Sequence, residues 1–162
     1  MSLPEKMDKY NIRTAKKGDA DEIYYLVQRA FSTYGDKGLN PVSKERIADI
    51  YIDIKDNTVL VIEFEGLIIG TLRLVADSYD KFYLKRFSIH PNFQNKGLGT
   101  ALYYQAEKKV KELFGKYICL HSSTEDGILV KFYEKLGFKC IEKDRENGYE
   151  RGLWIKKIDG VD

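Results

Sequence analysis

The stretch FYLKRFSIHPNFQNKGLGTAL, residues 82–102, places two glycines one residue apart where a helix is about to begin. Residues 82–89 have the composition of a strand, and His90-Pro91 ends that strand. After the glycines, apolar residues recur at helical spacing over residues 98–113. Because a glycine leaves its backbone open to another molecule, the stretch raises the question of what approaches the chain there.

An anion is the ligand that this turn favours. The first turn of a helix leaves backbone N–H groups unpaired and carries the positive end of the helix dipole. Gly97 and Gly99 would let a phosphate reach these N–H groups, while Thr100 adds a hydroxyl and Lys96 adds a positive charge. The same glycines would also suit a tight turn or close packing, and the glycines alone do not decide between these interpretations.

Two common nucleotide-binding loops do not fit the stretch. A Walker loop ends in Gly-Lys-Ser/Thr, whereas here Lys96 precedes both glycines and Thr100 follows Gly99 directly. A dinucleotide fingerprint requires a third glycine where Leu102 stands, and it belongs to a βαβ unit early in an α/β chain. A nucleotide-binding domain is therefore kept only as a third alternative.

The composition indicates one globular domain over residues 1–162, with residues 1–10 as a poorly ordered N-terminal extension. Hydrophobic residues make up 43% of the chain and charged residues 32%, as in water-soluble proteins. The net charge of +2 provides no strong field toward nucleic acid or an anionic membrane. No apolar segment of signal-peptide length begins the chain, so the expected location is the cytoplasm.

The cysteines and histidines argue against a disulfide or a metal site. Cys119 and Cys140 each lie in an apolar, strand-like run, which predicts buried thiols. With only two histidines and no CxxC pair, we expect no metal.

The hydrophobic pattern predicts elements in the order βααβββαβαββ. A strand at residues 12–15 precedes a helix ending near residue 34, which Asp19 and Glu22 would begin as a capping box. Ser43 would cap the second helix, and Gly115 would end the third. The other predicted strands are residues 58–64 and 67–76 as a hairpin, then 82–89, 117–121, 138–142 and 153–158, with the last helix at 126–135.

The opening stretch, followed by FYEKLGF at residues 132–138, resembles the GNAT superfamily of acetyl-CoA-dependent N-acetyltransferases. Gln94, Gly97 and Gly99 match the family pattern Gln/Arg-x-x-Gly-x-Gly/Ala, and the second segment matches Tyr-x-x-x-Gly-Phe, which closes the family core. The element order extends the likeness over nearly the whole chain. The resemblance implies an α+β fold with a mixed, largely antiparallel central sheet of about seven strands, flanked by about four helices.

The resemblance also implies where acetyl-CoA binds. The pyrophosphate would bind backbone amides at the helix start, and the pantetheine arm would lie beside the strand ending at Ile89, where two strands splay apart. Many relatives have asparagine at the position of Asp126, which keeps a hydrogen-bond acceptor but loses the amide donor. The predicted cofactor-binding residues are Phe87, Ser88, Ile89, Gln94, Asn95, Lys96, Gly97, Leu98, Gly99, Thr100 and Asp126.

Acetyl transfer to an amine requires a base for the amine, a donor to the carbonyl oxygen and a proton for the departing thiolate. By resemblance, Tyr133 is the general acid and an N–H near Ile89 polarises the thioester. A phenol with a pKa of about 10 can protonate a thiolate of similar basicity. The other interpretation of Tyr133 is a core aromatic packed beside Phe132.

The general base is not apparent from the sequence. Many relatives carry a glutamate on the fourth strand, where this chain has Lys85, and at neutral pH a lysine does not accept a proton unless it is strongly desolvated. His121, at the end of the next strand, is the candidate catalytic base, with a structural role as the alternative. Glu63, Asp77 and Asp80 could act through a water chain, and the sequence does not choose among them.

The leading hypothesis is a cytoplasmic enzyme, monomeric or homodimeric, that moves acetyl from acetyl-CoA to a primary amine by direct attack. The alternative is a catalytically weak acyl-CoA-binding module that senses the cofactor or regulates a partner. Loops at residues 35–42 and 145–149 would shape the acceptor pocket, but such loops vary too freely to identify the acceptor.

Overall fold

The computed structural model describes residues 9–32 and 41–158. In these ranges the chain forms seven strands and four α-helices, with short 3-10 turns between some of them. The strands are β1 (Tyr10–Thr14), β2 (Thr58–Phe64), β3 (Leu67–Ala76), β4 (Lys81–Ile89), β5 (Tyr117–Ser123), β6 (Lys139–Asp144) and β7 (Arg151–Lys157). The helices are α1 (Ala20–Ser32), α2 (Ile47–Asp56), α3 (Leu98–Glu112) and α4 (Gly127–Lys135). The predicted order βααβββαβαββ is confirmed.

The seven strands form one sheet in the order β1-β2-β3-β4-β5-β7-β6. Neighbouring strands are antiparallel except β4 and β5, which run parallel. This topology confirms the predicted mixed, largely antiparallel sheet. The hairpin of β2 and β3 has the bounds that its apolar, β-branched composition indicated.

Alternating strand residues separate the core into two layers. One layer joins the sheet to α1 and α2, and the other joins it to α3 and α4. In β4, Leu84 belongs to the layer under α3. Its neighbours Tyr83 and Lys85 therefore lie on the opposite face of the sheet, toward α1 and α2.

Strands β4 and β5 are paired at one end and separate at the other. Pairing runs from Lys81 with Tyr117 to Tyr83 with Cys119 and stops there, although both strands continue. Beyond this point β4 stays paired with β3, and β5 stays paired with β7. A gap therefore opens between the two parallel strands, bordered by strand edges that no other described strand covers.

A β-bulge lies in β4 where the gap opens. The pairing with β3 shifts by one residue between Lys85, opposite Arg73, and Ser88, opposite Thr71. Arg86 in this segment has a φ of 56°, in the left-handed region that non-glycine residues rarely occupy. The bulge thus changes the direction of the β4 side chains at the opening of the gap.

The predicted capping box of the first helix is wrong. The Asp19 carboxylate accepts a hydrogen bond from the N–H of Lys16 (2.7 Å), so it closes the 3-10 turn before α1. The Glu22 carboxylate instead accepts from the N–H of Ile68 (3.0 Å) on β3. A tertiary partner therefore takes the acceptor that local spacing assigned to the helix start.

The second helix begins later than Ser43 predicts. Ser43 lies in a 3-10 turn at Pro41–Lys44, and α2 starts at Ile47. The Asp49 carboxylate accepts from the N–H of Arg46 (2.8 Å) and so caps this helix start.

Other predictions concern the chain ends, a loop and the cysteines. The predicted N-terminal extension lies outside the described residues up to residue 8, and Tyr10 already belongs to β1. Residues 33–40, which include the predicted end of the first helix and most of the predicted loop, also lie outside the described ranges. Cys119 is buried as predicted, whereas Cys140 is partly exposed because it lies on the edge strand β6. Within the described ranges, no helix has the length and apolar character needed to span a membrane.

Candidate active site

The turn before α3 directs backbone N–H groups away from the helix. Gly97 is the N-cap residue with a φ of 79°, and Asn95 in the same turn has a φ of 63°. The first backbone hydrogen bond of the helix runs from the N–H of Ala101 to the carbonyl of Gly97 (3.1 Å). The N–H groups of residues 98–100 precede this bond and point out of the helix end, as an anion site requires.

The two glycines of this turn have different reasons to be glycine. Gly97 adopts a positive φ that other residues rarely adopt, so the turn itself requires it. Gly99 is helical, and a Cβ placed on it would lie 3.7 Å from Phe132 and 3.8 Å from both Ile89 and Phe87, which is ordinary van der Waals contact. Neither the backbone nor the packing of the free protein therefore demands glycine at 99, and this residue faces the cleft between β4 and α4.

The side chains around the turn differ in exposure. Gln94, Asn95 and Lys96 are exposed, Thr100 is half-buried, and Leu98 is buried in the core layer under α3. The buried leucine anchors the first turn while the polar side chains surround its free N–H groups. The structure thus brings the predicted phosphate-binding residues together at one open helix end.

The end of β4 borders the gap with backbone groups. The N–H of His90 donates to the carbonyl of Ile69 on β3 (2.8 Å), so by alternation residues 87 and 89 direct their backbone groups to the other side, into the gap. The Gln94 side-chain amide donates to the Ile89 carbonyl (3.2 Å), which ties the phosphate turn to the strand edge. The buried Ser88 hydroxyl donates within its own strand to the Arg86 carbonyl (3.3 Å).

Helix α4 brings two predicted residues to the other wall of the cleft. The Asp126 carboxylate caps α4 by accepting from the N–H groups of Ile128 (3.0 Å) and Leu129 (3.2 Å). Tyr133 is 7% exposed, and its ring lies 5.2 Å from that of Phe132 and 5.7 Å from that of Phe138, measured between centroids. Asp126 thus has a structural role as a cap, and Tyr133 makes the aromatic core contacts that the sequence left open as its alternative role.

A tyrosine and a histidine meet across the gap on the face toward α1 and α2. The Tyr83 hydroxyl lies 2.6 Å from Nδ1 of His121. Burial, and then the charge of Arg151, lower the pKa of His121, while burial raises the pKa of Tyr83. Both side chains are therefore neutral near neutral pH, and a short hydrogen bond joins them.

Sequence reasoning missed Tyr83. Strand alternation places Tyr83 on the same face as Lys85, and the parallel register pairs it with Cys119, two residues before His121. The register depends on the tertiary structure. The Tyr83–His121 pair could therefore be found from the sequence only by predicting that β4 and β5 are neighbours.

Lys85 is held in an ionic cluster, which we call the β3–β4 charge cluster, formed by Glu45, Asp53, Arg73, Lys85 and Arg86. The Lys85 ammonium lies 3.2 Å from Asp53, which also contacts Arg73 at 3.3 Å. Glu45 pairs with both Arg73 and Arg86. Lys85, at the position where the sequence did not supply a general base, thus takes part in an ion pair with a buried carboxylate.

The other candidate bases lie away from the gap. Glu63 pairs with Arg13 (3.4 Å) on the far side of the sheet, beside β1. Asp77 and Asp80 lie in the β3–β4 turn, at the end where β4 and β5 are still paired. His90 accepts from the N–H of Asn92 (3.1 Å) through Nδ1, which is a structural role.

Comparison with known protein families decides what this architecture is. Residues 20–138 match the model of the acetyltransferase (GNAT) family. The chain belongs to this family. A relative, an uncharacterized N-acetyltransferase of Methanocaldococcus jannaschii, is 27% identical over 168 aligned positions, which cover 92% of this chain and 67% of that protein.

Solved GNAT structures share the fold of this chain. The PaiA N-acetyltransferase of Thermoplasma acidophilum, in complex with coenzyme A, has a TM-score of 0.80 at 20% identity, covering 91% of this chain and 98% of that one. A GNAT acetyltransferase of Streptococcus pneumoniae has a TM-score of 0.78 at 20% identity, covering 93% and 99%. The yncA protein of Salmonella typhimurium, a putative acetyltransferase with acetyl-CoA, has a TM-score of 0.78 at 15% identity, covering 94% and 96%. The predicted family, fold class and enzyme class of this GNAT chain are confirmed, and the ligands of two neighbours agree with the predicted co-substrate.

Proposed function

We propose that the protein transfers acetyl from acetyl-CoA to a primary amine by direct attack of the amine on the thioester. The observation that supports this proposal is the continuous path formed by the gap between β4 and β5 and the open N-terminus of α3. A flexible arm can lie along the strand edge while its anionic end reaches the helix dipole.

The residues at the two ends of this path fit acetyl-CoA. The N–H groups of residues 98–100 would hold the diphosphate, with Lys96 adding charge and Thr100 a hydroxyl. Residues 87 and 89 would pair through their backbone with the amides of the pantetheine arm. Glycine at 99 would keep a further side chain out of the cleft between β4 and α4, where the arm would enter.

Acetyl-CoA would supply the activated carbonyl, and the protein would supply the charge stabilisation and the protons. A backbone N–H on the β4 edge of the gap would donate to the carbonyl oxygen as negative charge develops there. Tyr133 would donate its phenolic proton to the departing sulfur. Its tight aromatic packing would hold the hydroxyl in one orientation.

His121 would take the proton from the amine through Tyr83. The amine proton moves to the Tyr83 oxygen while the Tyr83 proton moves to Nδ1 of His121, so one proton leaves the amine and one arrives on the imidazole. The lowered pKa of His121 keeps the imidazole neutral, and therefore able to accept a proton, at neutral pH.

Neither cysteine, both of which lie in the described part of the chain, is placed to form a covalent acetyl-enzyme. Cys119 is buried, and burial raises the pKa of its thiol, so the reactive thiolate is disfavoured. Cys140 lies on β6, at the outer edge of the sheet. Direct transfer is thus the reaction that the side chains favour.

Free thiol release, measured with acetyl-CoA and a panel of primary amines, tests this function. We expect amine-dependent release by the wild-type protein. Tight coenzyme A binding in calorimetry without release from any amine would instead favour the second candidate, an acyl-CoA-binding module without turnover. That candidate is motivated by the Lys85–Asp53 ion pair where many relatives carry a glutamate.

A further inference from the structure

The β-bulge gives β4 two consecutive basic side chains on one face. In a regular strand Lys85 and Arg86 would point to opposite faces. Here the Lys85 ammonium lies 3.2 Å from Asp53 of α2, and Nε of Arg86 donates to Glu45 (3.2 Å), which precedes α2. Both side chains therefore lie on the α2 side of the sheet, on the β4 wall of the gap.

The β3–β4 charge cluster has more positive than negative charge. Its three cations, Arg73, Lys85 and Arg86, are joined by two carboxylates, Glu45 and Asp53, which leaves one positive charge uncompensated. A further carboxylate, Asp49, also interacts with Lys85, but it is itself paired with Arg46 (3.7 Å), so the balance is unchanged. The carboxylate side chains are 3% and 9% exposed, whereas Lys85 and Arg86 are 28% and 19% exposed. The accessible part of the cluster is thus cationic.

Arg86 retains donors for a further anion. Among the described residues, the hydrogen-bond partner of its guanidinium is Glu45, which Nε reaches. A guanidinium has five N–H donors, so the two terminal nitrogens are available to a carboxylate in bidentate geometry. Arg86 has a left-handed backbone conformation (φ of 56°) and lies within the bulge.

The opposite wall of the gap adds no net positive charge, because the charged groups that act on His121 there are one cation, Arg151, and three carboxylates, Asp144, Glu146 and Glu142. Tyr83 and His121 are neutral near neutral pH. Arg151 is paired with Asp144 (2.8 Å) and Glu146 (2.9 Å) at the start of β7. The positive charge is therefore concentrated on the β4 wall, beside the Tyr83–His121 pair.

We propose that the acceptor is an amine that also carries a carboxylate, and that Arg86, assisted by Lys85, binds this carboxylate while the amine faces Tyr83. The proposal rests on the proposed acetyl transfer. The same cationic wall disfavours polyamines, because their second ammonium group would meet Arg86 and Lys85.

Matched acceptors that differ by one carboxylate test the proposal. We compare kcat/KM for 4-aminobutanoate with 1-aminobutane and for tyrosine with tyramine, and include spermidine as a cationic acceptor. A charge-assisted hydrogen bond predicts a preference of about tenfold or more for the carboxylated member of each pair. Calorimetric binding of the better acceptor to protein saturated with coenzyme A gives a second readout that does not depend on turnover.

Two variants assign the preference to the cluster. Arg86→Gln and Lys85→Gln remove the positive charge but keep a polar side chain, and Glu45 and Asp53 each retain Arg73 as a partner, so both variants are expected to fold. Arg86→Gln should remove most of the preference, and Lys85→Gln should reduce it, mainly through KM. Lys143→Gln, which removes a cation that is 61% exposed on the outer strand β6, should leave the preference unchanged.

The outcomes separate the two proposals. Thiol release with neutral or cationic amines but no preference for carboxylates would overturn the acceptor assignment and leave acetyl transfer intact. A carboxylate preference that both Gln variants retain would also overturn it. If none of the amines supports thiol release, acetyl transfer is overturned, and the acceptor assignment is overturned with it.

Discussion

The two sides of the gap between β4 and β5 present different kinds of groups, backbone on one side and side chains on the other. On the α3 side the site consists of backbone, namely the N–H groups of residues 98–100 and the strand edge at residues 87 and 89. On the α2 side it consists of side chains, the Tyr83–His121 pair and the β3–β4 charge cluster. A backbone site depends on local turns, whereas a side-chain site depends on which strands become neighbours. This difference explains why the sequence indicated the backbone side as a unit, whereas on the other side it pointed to His121 and Lys85 but not to Tyr83 or to the charge cluster.

The largest expected effect is a loss of turnover when Tyr133, the proposed general acid, is changed. Tyr133→Phe should lower kcat by about 10²- to 10⁴-fold, because the departing thiolate loses its proton donor, while coenzyme A affinity stays nearly constant. Steady-state kinetics and calorimetry measure the two quantities separately. Wild-type turnover in the variant would withdraw the acid role and leave Tyr133 as a core aromatic.

The next effect concerns the stability of the side-chain wall. Glu45→Ala leaves Arg73, which is fully buried, with Asp53 as its remaining carboxylate, and it removes the partner of Arg86. Breaking a buried ion pair costs about 3 to 5 kcal/mol, so urea denaturation should show a loss of that order in the free energy of unfolding.

The matched control for this variant is Glu112→Ala, whose carboxylate is 54% exposed and 4.0 Å from Lys109. An exposed pair contributes about 1 kcal/mol or less. Equal losses in the two variants would contradict the view that the charge cluster is held together by its buried carboxylates.

A graded series at residue 99 tests the backbone wall. Gly99→Ala adds a Cβ for which there is room, and it should stabilise the helix by up to about 1 kcal/mol while changing coenzyme A affinity little. Gly99→Leu extends a side chain into the cleft between β4 and α4 and should weaken coenzyme A binding by about tenfold or more. Calorimetry gives the affinities, and thermal unfolding verifies that both variants fold.

The Leu variant alone is informative about the path of the ligand. If Gly99→Leu binds coenzyme A as tightly as wild type does, the cleft beside residue 99 is not where the pantetheine arm lies. The corresponding change at Gly97 would be harder to interpret, because its φ of 79° already makes any other residue costly.

The smallest effect is a shift in the pH profile. Burial and Arg151 hold the pKa of His121 below its ordinary value of about 6.5, so the imidazole is deprotonated over the neutral range and kcat should fall only as pH drops below that value. Arg151→Gln removes one of the groups that lowers this pKa and leaves Asp144, Glu146 and Glu142, which raise it. The acid limb should therefore move to higher pH.

Arg145→Gln is the control for this shift. Its side chain is 64% exposed and pairs with Glu125 at 3.4 Å, so its loss should leave the limb in place. An acid limb that His121→Gln retains unchanged would contradict the role of His121 as the base.

Local sequence features predicted the parts of the structure that depend on local physics. The hairpin of β2 and β3, the last helix near residues 126–135 and the glycine turn before α3 all appear where their residues indicated. The third helix also ends near the predicted glycine, but the residue in the left-handed position is the one before it. Phe114 takes the left-handed position with a φ of 62°, and Gly115 follows it because a Cβ there would lie 2.5 Å from Val110.

The parts that failed or were missed depend on tertiary partners. Glu22 was expected to cap its own helix and instead binds the N–H of Ile68, 46 positions along the chain. Tyr83 meets His121 because two strands happen to run in parallel register. Lys85 and Arg86 share a face of the sheet because of a β-bulge that the sequence of β4 does not indicate. Propensity and spacing carry no information on these contacts.

A titration of nitrogen-labelled protein with coenzyme A, followed by proton–nitrogen correlation spectra, tests most directly whether the backbone wall binds the ligand. We expect the amide signals of residues 97–100 to shift most, because their N–H groups would donate to the diphosphate, and those of residues 87 and 89 to shift with them. If coenzyme A binds while these signals stay in place and others move, the α3 N-terminus is not the anion site.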